Sequence, residues 1–138
     1  DMVSPSGEGA KRCMQTAWDM SGNKEIDYIN AHGTSTPAGD LTELKAIESI
    51  FKYKIPPISS TKSLSGHSLG AAGVHEAYYC LIMITEGFLV GSINIDNLAE
   101  GTEGLHILRE NRDSNVKTVL SNSFSFGGTN ASLIFEKY

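Results

Sequence analysis

Stretches with helical hydrophobic spacing alternate along the chain with short stretches of β-branched and aromatic residues. Residues 7–20 predict a first helix, with Ser6 as its N-cap and residues 21–23, Ser-Gly-Asn, as its stop. Asp40 can cap a second helix, with Glu43 at the capping-box position. The apolar stripe of this second helix is formed by Leu41, Leu44, Ile47, Ile50 and Phe51.

A third helix and five strands complete the predicted pattern. Residues 69–86 predict a helix so apolar that we expect it to be buried on most sides. Residues 26–31 predict a strand that ends at His32. Further strands are predicted over residues 58–60, 91–95, 118–124 and 131–136, the last pair joined by a turn at Gly127 and Gly128. This alternation predicts one α/β layered domain that ends in a hairpin.

Composition narrows the classes of function. The formal charge is −5, from 11 basic against 16 acidic residues, and the absence of a basic run argues against nucleic acid as a partner. Cys13 and Cys80 are too few for a disulfide framework or a cysteine metal site, which favours a reducing compartment. The apolar run 78–84 is far shorter than the roughly 20 residues that span a bilayer. We therefore expect a soluble, cytoplasmic protein with no membrane partner.

Residues 66–70, Gly-His-Ser-Leu-Gly, match the Gly-x-Ser-x-Gly pattern of a hydrolase nucleophile elbow. The order of serine, acid and histidine could be met by Ser68, Asp96 or Asp113, and His106. An elbow needs a strand that runs into the turn, whereas residues 61–65 are polar. We therefore interpret Ser68 as a helix N-cap, with a serine hydrolase as an alternative.

Three segments carry a specific resemblance. They are residues 28–40, which begin Tyr-Ile-Asn-Ala-His-Gly-Thr-Ser-Thr-Pro, residues 60–73, Ser-Thr-Lys-Ser-Leu-Ser-Gly-His-Ser-Leu-Gly-Ala-Ala-Gly, and residues 122–130, Asn-Ser-Phe-Ser-Phe-Gly-Gly-Thr-Asn. Together they closely resemble the C-terminal region of β-ketoacyl-acyl carrier protein synthases. Ser68 and the Ser-Ile-Asn-Ile-Asp of residues 92–96 are most similar to the bacterial synthase I branch, with synthase II as an alternative.

The resemblance implies a thiolase-like fold of two αβαβα halves, of which residues 1–138 would be most of the second, C-terminal half. It also implies a homodimer and a decarboxylating Claisen condensation, in which an acyl group on a cysteine is attacked by the carbanion of malonyl-acyl carrier protein. The implied partner is acyl carrier protein. Its phosphopantetheine carries the substrate, so no separate cofactor is expected.

The resemblance gives roles to individual polar residues. His32 and His67 would be neutral N–H donors to the enolate that forms as carbon dioxide leaves. No third ligand lies at a recognisable spacing from them, so a metal site is not favoured. Lys62 and Glu43 would form a buried charge pair on the floor of the site. Taken alone, they are typical of a solvated lysine and a capping-box glutamate. Thr34 and Thr36 would bind the phosphopantetheine arm, although both are also typical of a polar turn. His75 and His106 are interpreted as structural or surface residues.

The segment around Phe124 resembles the gating loop of this family. The backbone N–H of Phe126 would be an oxyanion donor, and Gly127 and Gly128 would allow unusual backbone angles. Ser125 stands where relatives commonly carry glycine, which predicts a stiffer loop or altered gating. A plain hairpin turn is the simpler interpretation, and the two are compatible.

The nucleophilic cysteine of the family has no counterpart in this sequence. Cys13 lies in the first predicted helix and Cys80 in the third, where each is expected to be a core thiol. The chain is therefore expected to be a fragment that is inactive by itself. A non-catalytic thiolase-fold partner, such as a chain-length factor, is an alternative.

Overall fold

The computed structural model describes residues 6–138, apart from the side chain of Phe126. Its helices are α1 (Glu8–Met20), α2 (Gly39–Ile50), α3 (Lys62–Ser65) and α4 (Ala72–Glu86), with short 3₁₀ turns at Leu69–Ala71 and Phe126–Gly128. Its strands are β1 (Tyr28–Asn30), β2 (Ile58–Ser59), β3 (Phe88–Leu89), β4 (Arg112–Asp113), β5 (Thr118–Phe124) and β6 (Asn130–Glu136).

A four-stranded sheet in the order β2-β1-β5-β6 organises the chain. Strand β1 runs parallel to both β2 and β5, with Ile29 opposite Ile58 on one side and Leu120 on the other. Strand β6 returns antiparallel to β5 and completes the predicted hairpin. Because β1, β2 and β5 run in the same direction, their carboxyl ends meet at one edge of the sheet, where open α/β sheets bind ligands.

Side chains of the central strands alternate between two layers of helix. Ile29 and Leu120 are fully buried in the cluster formed with α1 and α2. Tyr28 and Val119, one position earlier on each strand, are fully buried in the second cluster, formed with α4. The sheet is therefore covered by helices on both faces, and the predicted α/β class is confirmed.

The predicted cap of the second helix is wrong. Helix α2 begins at Gly39 after Ala38, and no side chain caps it. The carboxylate of Asp40 instead accepts a hydrogen bond from the backbone N–H of Ser35, at 3.1 Å. The residue that was expected to start the helix therefore fixes the loop in front of it.

The strand predicted over residues 91–95 does not form. The N–H of Gly91 donates to the side chain of Asn111 at 3.0 Å, and Asn94 adopts a left-handed φ of 61° that ends the extended run. A short antiparallel pair of β3 and β4 lies beside this segment instead. Ser92 N–H still donates to the Leu108 carbonyl, but Gly91 and Ile93 donate to side chains, so no regular ladder forms.

Helix α4 is less buried than its composition predicts. Met83 and Cys80 are fully buried, but Val74 and Tyr78 keep 72% and 64% of their surface exposed. Only one face of α4 contacts the sheet, so its apolar opposite face has no cover within residues 6–138. No helix of the described chain is both long and apolar enough to cross a membrane.

Candidate active site

Residues from all three sequence motifs meet at the carboxyl edge of the sheet. His32 follows β1, Lys62 follows β2, and His67 lies just beyond α3. The ring centroids of His32 and His67 are 5.7 Å apart, with the rings nearly perpendicular, and the ring of Phe124 lies 5.9 Å from that of His32. The fold therefore brings the two predicted histidines and the aromatic ring of Phe124 together at one place.

Glu43 holds the loop that carries His32. Its buried carboxylate accepts hydrogen bonds from the backbone N–H groups of His32 and Gly33, at 2.9 and 3.0 Å, and from the side chain of Asn122, at 3.0 Å. Burial raises the pKa of Glu43, and these three donors act in the opposite direction. The predicted capping-box role and the predicted pairing with Lys62 are both wrong. Glu43 instead joins α2, β5 and the His32 loop.

The buried partner of Lys62 is Glu76 on α4. The two side chains form an ion pair and are only 5% and 2% exposed. Burial raises the pKa of Glu76, against the effect of the Lys62 ammonium. Sequence reasoning missed this residue, and the available signal was a carboxylate inside a strongly apolar helix. The predicted buried charge pair exists, with a different acid.

Burial and Lys62 together determine the charge and tautomer of His32. Its Nζ lies 3.4 Å from His32 Nδ1, and an ammonium can only donate to that nitrogen. Burial, followed by the charges of Lys62 and His67, lowers the pKa of His32 to about 4. His32 is therefore neutral near pH 7, with its proton on Nε2.

His67 has the same tautomer for a different reason. The backbone N–H of Leu69 donates to His67 Nδ1 at 3.2 Å, which leaves the proton of a neutral ring on Nε2. Gly66 has a φ of 74° and Leu69 a φ of 52°, so the turn around His67 is tightly folded. Each histidine has Nδ1 engaged by a donor, and each therefore presents Nε2–H. Two such donors can stabilise a negative oxygen that develops between them.

Thr34 and Thr36 lie on the loop that follows His32. Their hydroxyl oxygens are 3.4 Å apart, with Thr34 half-buried and Thr36 exposed. Ser35 between them has a φ of 62°, and its N–H is held by Asp40. Burial raises the pKa of Asp40, against several backbone donors of this loop. The loop is fixed from α2, and a role for the two hydroxyls in binding the carrier arm stays a prediction.

The segment after β5 folds as a tight turn. Gly127 and Gly128 have φ values of 83° and 84°, which strongly favour glycine. Ser125 is extended, with a φ of −131°, a conformation that any residue adopts without strain. The side chain of Phe126 lies outside the described part of the chain, so its predicted role stays a prediction.

The hydrolase triad is not assembled. Helix α3, and not a strand, leads to Gly66. Ser68 precedes the 3₁₀ turn but makes no side-chain cap, so the predicted N-cap bond is wrong. Its hydroxyl lies 2.9 Å from Nδ1 of His75, while His106 lies 3.3 Å from Arg112. Ser68 is therefore not paired with His106, and the predicted triad does not form.

Cys80 matches the expectation of a core thiol, whereas Cys13 is only half-buried. Cys80 is fully buried, and burial raises its pKa to about 11. Cys13 is half-buried on α1. A nucleophilic thiol needs the opposite electrostatic environment, because the thiolate is the reactive form. Among residues 6–138, no group of three histidine, cysteine or acidic residues is arranged to hold a metal.

Comparison with known proteins identifies the family. The family described as "Beta-ketoacyl synthase, C-terminal domain" matches residues 1–96. The chain belongs to this β-ketoacyl synthase family. It is 58% identical to 3-oxoacyl-[acyl-carrier-protein] synthase 1 of Haemophilus influenzae, over 100% of this chain and 34% of that protein.

Two further curated synthases bear on the branch of the family. Synthase 1 of Escherichia coli K12 is 57% identical over 99% of this chain and 34% of its own length. Synthase 2 of Coxiella burnetii is 42% identical over 96% of this chain and 33% of its own length. The chain thus spans about a third of the length of the curated relatives it matches. Its sequence is more similar to the two type 1 synthases than to the type 2 synthase.

Solved β-ketoacyl synthases have the same fold. A synthase from Burkholderia phymatum superposes with a TM-score of 0.92 at 37% identity, covering 100% of this chain and 34% of the other. A type II PKS ketosynthase in complex with its acyl-carrier protein, AntDE:AntF, gives 0.91 at 26% identity, covering 99% of this chain and 35% of the other. The predicted thiolase-like class is confirmed.

Proposed function

We propose that this chain is the C-terminal, enolate-stabilising part of a 3-oxoacyl-[acyl-carrier-protein] synthase of type 1. The whole enzyme would extend a fatty acyl chain by decarboxylating condensation with malonyl-acyl carrier protein. The observation that carries this proposal is the pair of adjacent histidines, His32 and His67, each with Nδ1 engaged by a donor and Nε2–H available for substrate. The higher identity to synthases 1 supports the type.

The chemistry follows from this pair of donors. Loss of carbon dioxide leaves two electrons on the former malonyl carbon, and these electrons delocalise onto the thioester oxygen. Hydrogen bonds from His32 and His67 to that oxygen would stabilise the developing charge more than they stabilise the neutral thioester. The resulting carbanion attacks the acyl thioester and forms the new carbon–carbon bond, while the cysteine leaves as a thiolate. That cysteine would lie outside this chain.

The remaining assignments follow the same proposal. Residues 1–138 would form one C-terminal domain, and the whole enzyme would be a cytoplasmic homodimer without a resident cofactor. Its partner would be acyl carrier protein, supported by a ketosynthase of this fold that was solved with its carrier protein. Thr34 and Thr36, beside His32, would bind the phosphopantetheine arm. Phe124 and the backbone of residues 126–128 would close over the acyl chain.

The test uses a reconstituted synthase. This protein joins the first two thirds of the Haemophilus influenzae synthase 1 to the present chain as its last third, which replaces a segment of 58% identity. Carbon dioxide release from malonyl-acyl carrier protein is measured for the parent and for His32→Ala, His67→Ala and the double variant. We expect each single variant to be slower by about 10²–10³, the usual effect of removing one oxyanion donor. The double variant should be little worse than either, since one remaining donor is poorly aimed.

Acylation of the cysteine, followed separately by mass spectrometry, serves as the control. It should change much less, because acyl transfer to the cysteine forms no malonyl enolate. Decarboxylation near the parent rate in a folded single variant would contradict the proposed function.

A further inference from the structure

The turn that carries His67 is held in an unfavourable backbone conformation. Gly66 has φ 74° and ψ −177°, and Leu69 has a positive φ of 52° although it is not a glycine. Conformations of this kind cost free energy and persist only where the surrounding contacts hold them. The direction of His67 Nε2–H therefore depends on what holds residues 66–71.

Few contacts hold this turn among the described residues. Within the turn, Leu69 N–H donates to His67 Nδ1 at 3.2 Å, and Ala71 N–H donates to the Ser68 carbonyl at 3.1 Å. A side-chain contact leaves the turn, between Ser68 Oγ and His75 Nδ1, which are 2.9 Å apart. His75 lies in the first turn of α4, so this contact ties the loop to a fifteen-residue helix.

The next residue of the same helix holds the other histidine. Glu76 forms the buried ion pair with Lys62, and Lys62 Nζ lies 3.4 Å from His32 Nδ1. His75 is thus connected to the turn of His67 through Ser68, and Glu76 is connected to His32 through Lys62. The N-terminal end of α4 is the common support of both rings.

We propose that His75 is a positioning residue, whose hydrogen bond with Ser68 fixes the turn so that His67 Nε2–H points to the same substrate oxygen as His32 Nε2–H. This proposal rests on the proposed function. It gives Ser68 and His75 a role that neither the predicted N-cap nor the predicted surface histidine provides. It also accounts for the Gly-His-Ser-Leu-Gly motif, whose serine supports the neighbouring histidine.

A serine–histidine pair with this separation also occurs in nucleophilic catalysis. A catalytic histidine needs a third group, usually a carboxylate, to orient it. Across residues 6–138 no carboxylate pairs with His75. Ser68 itself has an ordinary φ of −85°, without the strain of an elbow. The geometry therefore favours positioning over nucleophilic attack.

The experiment is a double-mutant cycle in the reconstituted synthase. Ser68→Ala, His75→Leu and the double variant are compared for carbon dioxide release from malonyl-acyl carrier protein. We expect each single variant to be slower by about tenfold, and the double variant to be no slower than the singles, because one hydrogen bond is lost in all three. Acylation of the cysteine should be unchanged.

His75→Asn is the rescue variant, because the polar atoms of asparagine lie as far from Cβ as histidine Nδ1 does. It should retain a rate within about threefold of the parent if the contact is a hydrogen bond. His106→Leu is the matched control, since His106 is an exposed histidine bonded to Arg112 and outside this turn. It should leave the rate unchanged. A ¹⁵N spectrum should show His67 as a mixture of tautomers only where the Ser68–His75 contact is lost.

Several outcomes would overturn the inference. They are a parent-like rate in Ser68→Ala, multiplied effects in the double variant, a His75→Asn rate as low as that of His75→Leu, and Ser68-dependent burst release from p-nitrophenyl acetate. If His75→Leu does not fold, the rates of Ser68→Ala and His75→Asn still test the proposed hydrogen bond. A parent-like rate in His67→Ala would instead contradict the proposed function, so the two failures are distinguishable.

Discussion

His32 is an imidazole kept neutral by its surroundings. Half-burial and the adjacent Lys62 ammonium lower its pKa from 6.5 to about 4. The same ammonium occupies Nδ1 and so leaves the proton on Nε2. Burial and the Lys62 ammonium therefore keep His32 neutral over the whole physiological range of pH, and the ammonium alone sets the direction of donation.

A pH titration of His32 tests this electrostatic account. By NMR on the reconstituted synthase, we expect a midpoint near 4, well below the 6.5 of a free histidine. Because the pKa of His32 is lowered in the folded state, His32 is protonated in the unfolded chain but not in the folded chain between about pH 6.5 and pH 4. Stability from this residue is therefore lost as the pH falls through that window.

The double variant Lys62→Met, Glu76→Gln removes the nearby ammonium without leaving a buried carboxylate unpaired. It should raise the His32 midpoint toward 6.5 but not to it, since burial remains. A midpoint near 6.5 in the parent would contradict the neutral-donor account.

The sequence predicted some residues of the site but not their partners. His32, His67 and Lys62 lie in motifs that predict them as one site, and the structure brings His32 close to both of the others. The partners of these residues depend on tertiary contacts between separate elements. Glu43 lies at a capping-box position but bonds a loop beyond its own helix, and Glu76 reaches Lys62 only because α4 packs against the β2 loop. Local spacing cannot distinguish such carboxylates from caps or solvated charges.

At the scale of elements, the hydrophobic pattern predicted those helices and strands whose bounds depend on neighbouring residues in the sequence. Helix α1 and strands β5 and β6 match the predictions within one residue, because their hydrophobic periods are long and end at turn residues. Residues 91–95 have a strand-like pattern, but the backbone of Glu110 approaches Gly91 so closely that a Cβ added at Gly91 would lie 2.3 Å from Glu110 N. That close approach and the Asn111 bond displace a ladder, and neither is visible in sequence.

The turn between β5 and β6 yields a prediction at this scale. Gly127 has a φ of 83° and open space where a Cβ would be, so a substitution there tests the backbone alone. In the reconstituted synthase, Gly127→Ala should lose about 1–2 kcal/mol of stability, seen as a lower Tm. Gly127→Asn should lose less, because asparagine tolerates the left-handed region. Equal losses in both variants would contradict the assigned backbone conformation.

At the scale of the whole molecule, the outer face of helix α4 is apolar and exposed. Val74, Tyr78 and Leu81 on α4 are 72%, 64% and 45% exposed, on the face opposite the sheet. An exposed apolar patch of this kind marks an interaction surface. The chain spans about a third of its curated relatives, 34% of the Haemophilus influenzae protein.

We therefore expect the 138-residue chain by itself to self-associate. Light scattering after gel filtration should show oligomers whose population falls in the double variant Val74→Ser, Tyr78→Ser. Tyr53→Ser is the matched control, because Tyr53 is 92% exposed but lies just after α2, away from α4. The isolated chain should also accept no acyl group from acyl carrier protein. A monodisperse monomer, or stable acylation of Cys13 or Cys80, would contradict this prediction.

The anchoring of both imidazoles to adjacent residues of α4 has a mechanical consequence. His75 and Glu76 are neighbours on one rigid helix, with α-carbons about 3.8 Å apart. When thermal motion shifts that helix along or across the sheet, the two supports undergo the same displacement. Motion of α4 therefore acts together on the supports of both rings, whose centroids lie 5.7 Å apart at rest, while Glu43 keeps the backbone of His32 in place. A pair of donors mounted in this way can keep its spacing while the protein around it fluctuates.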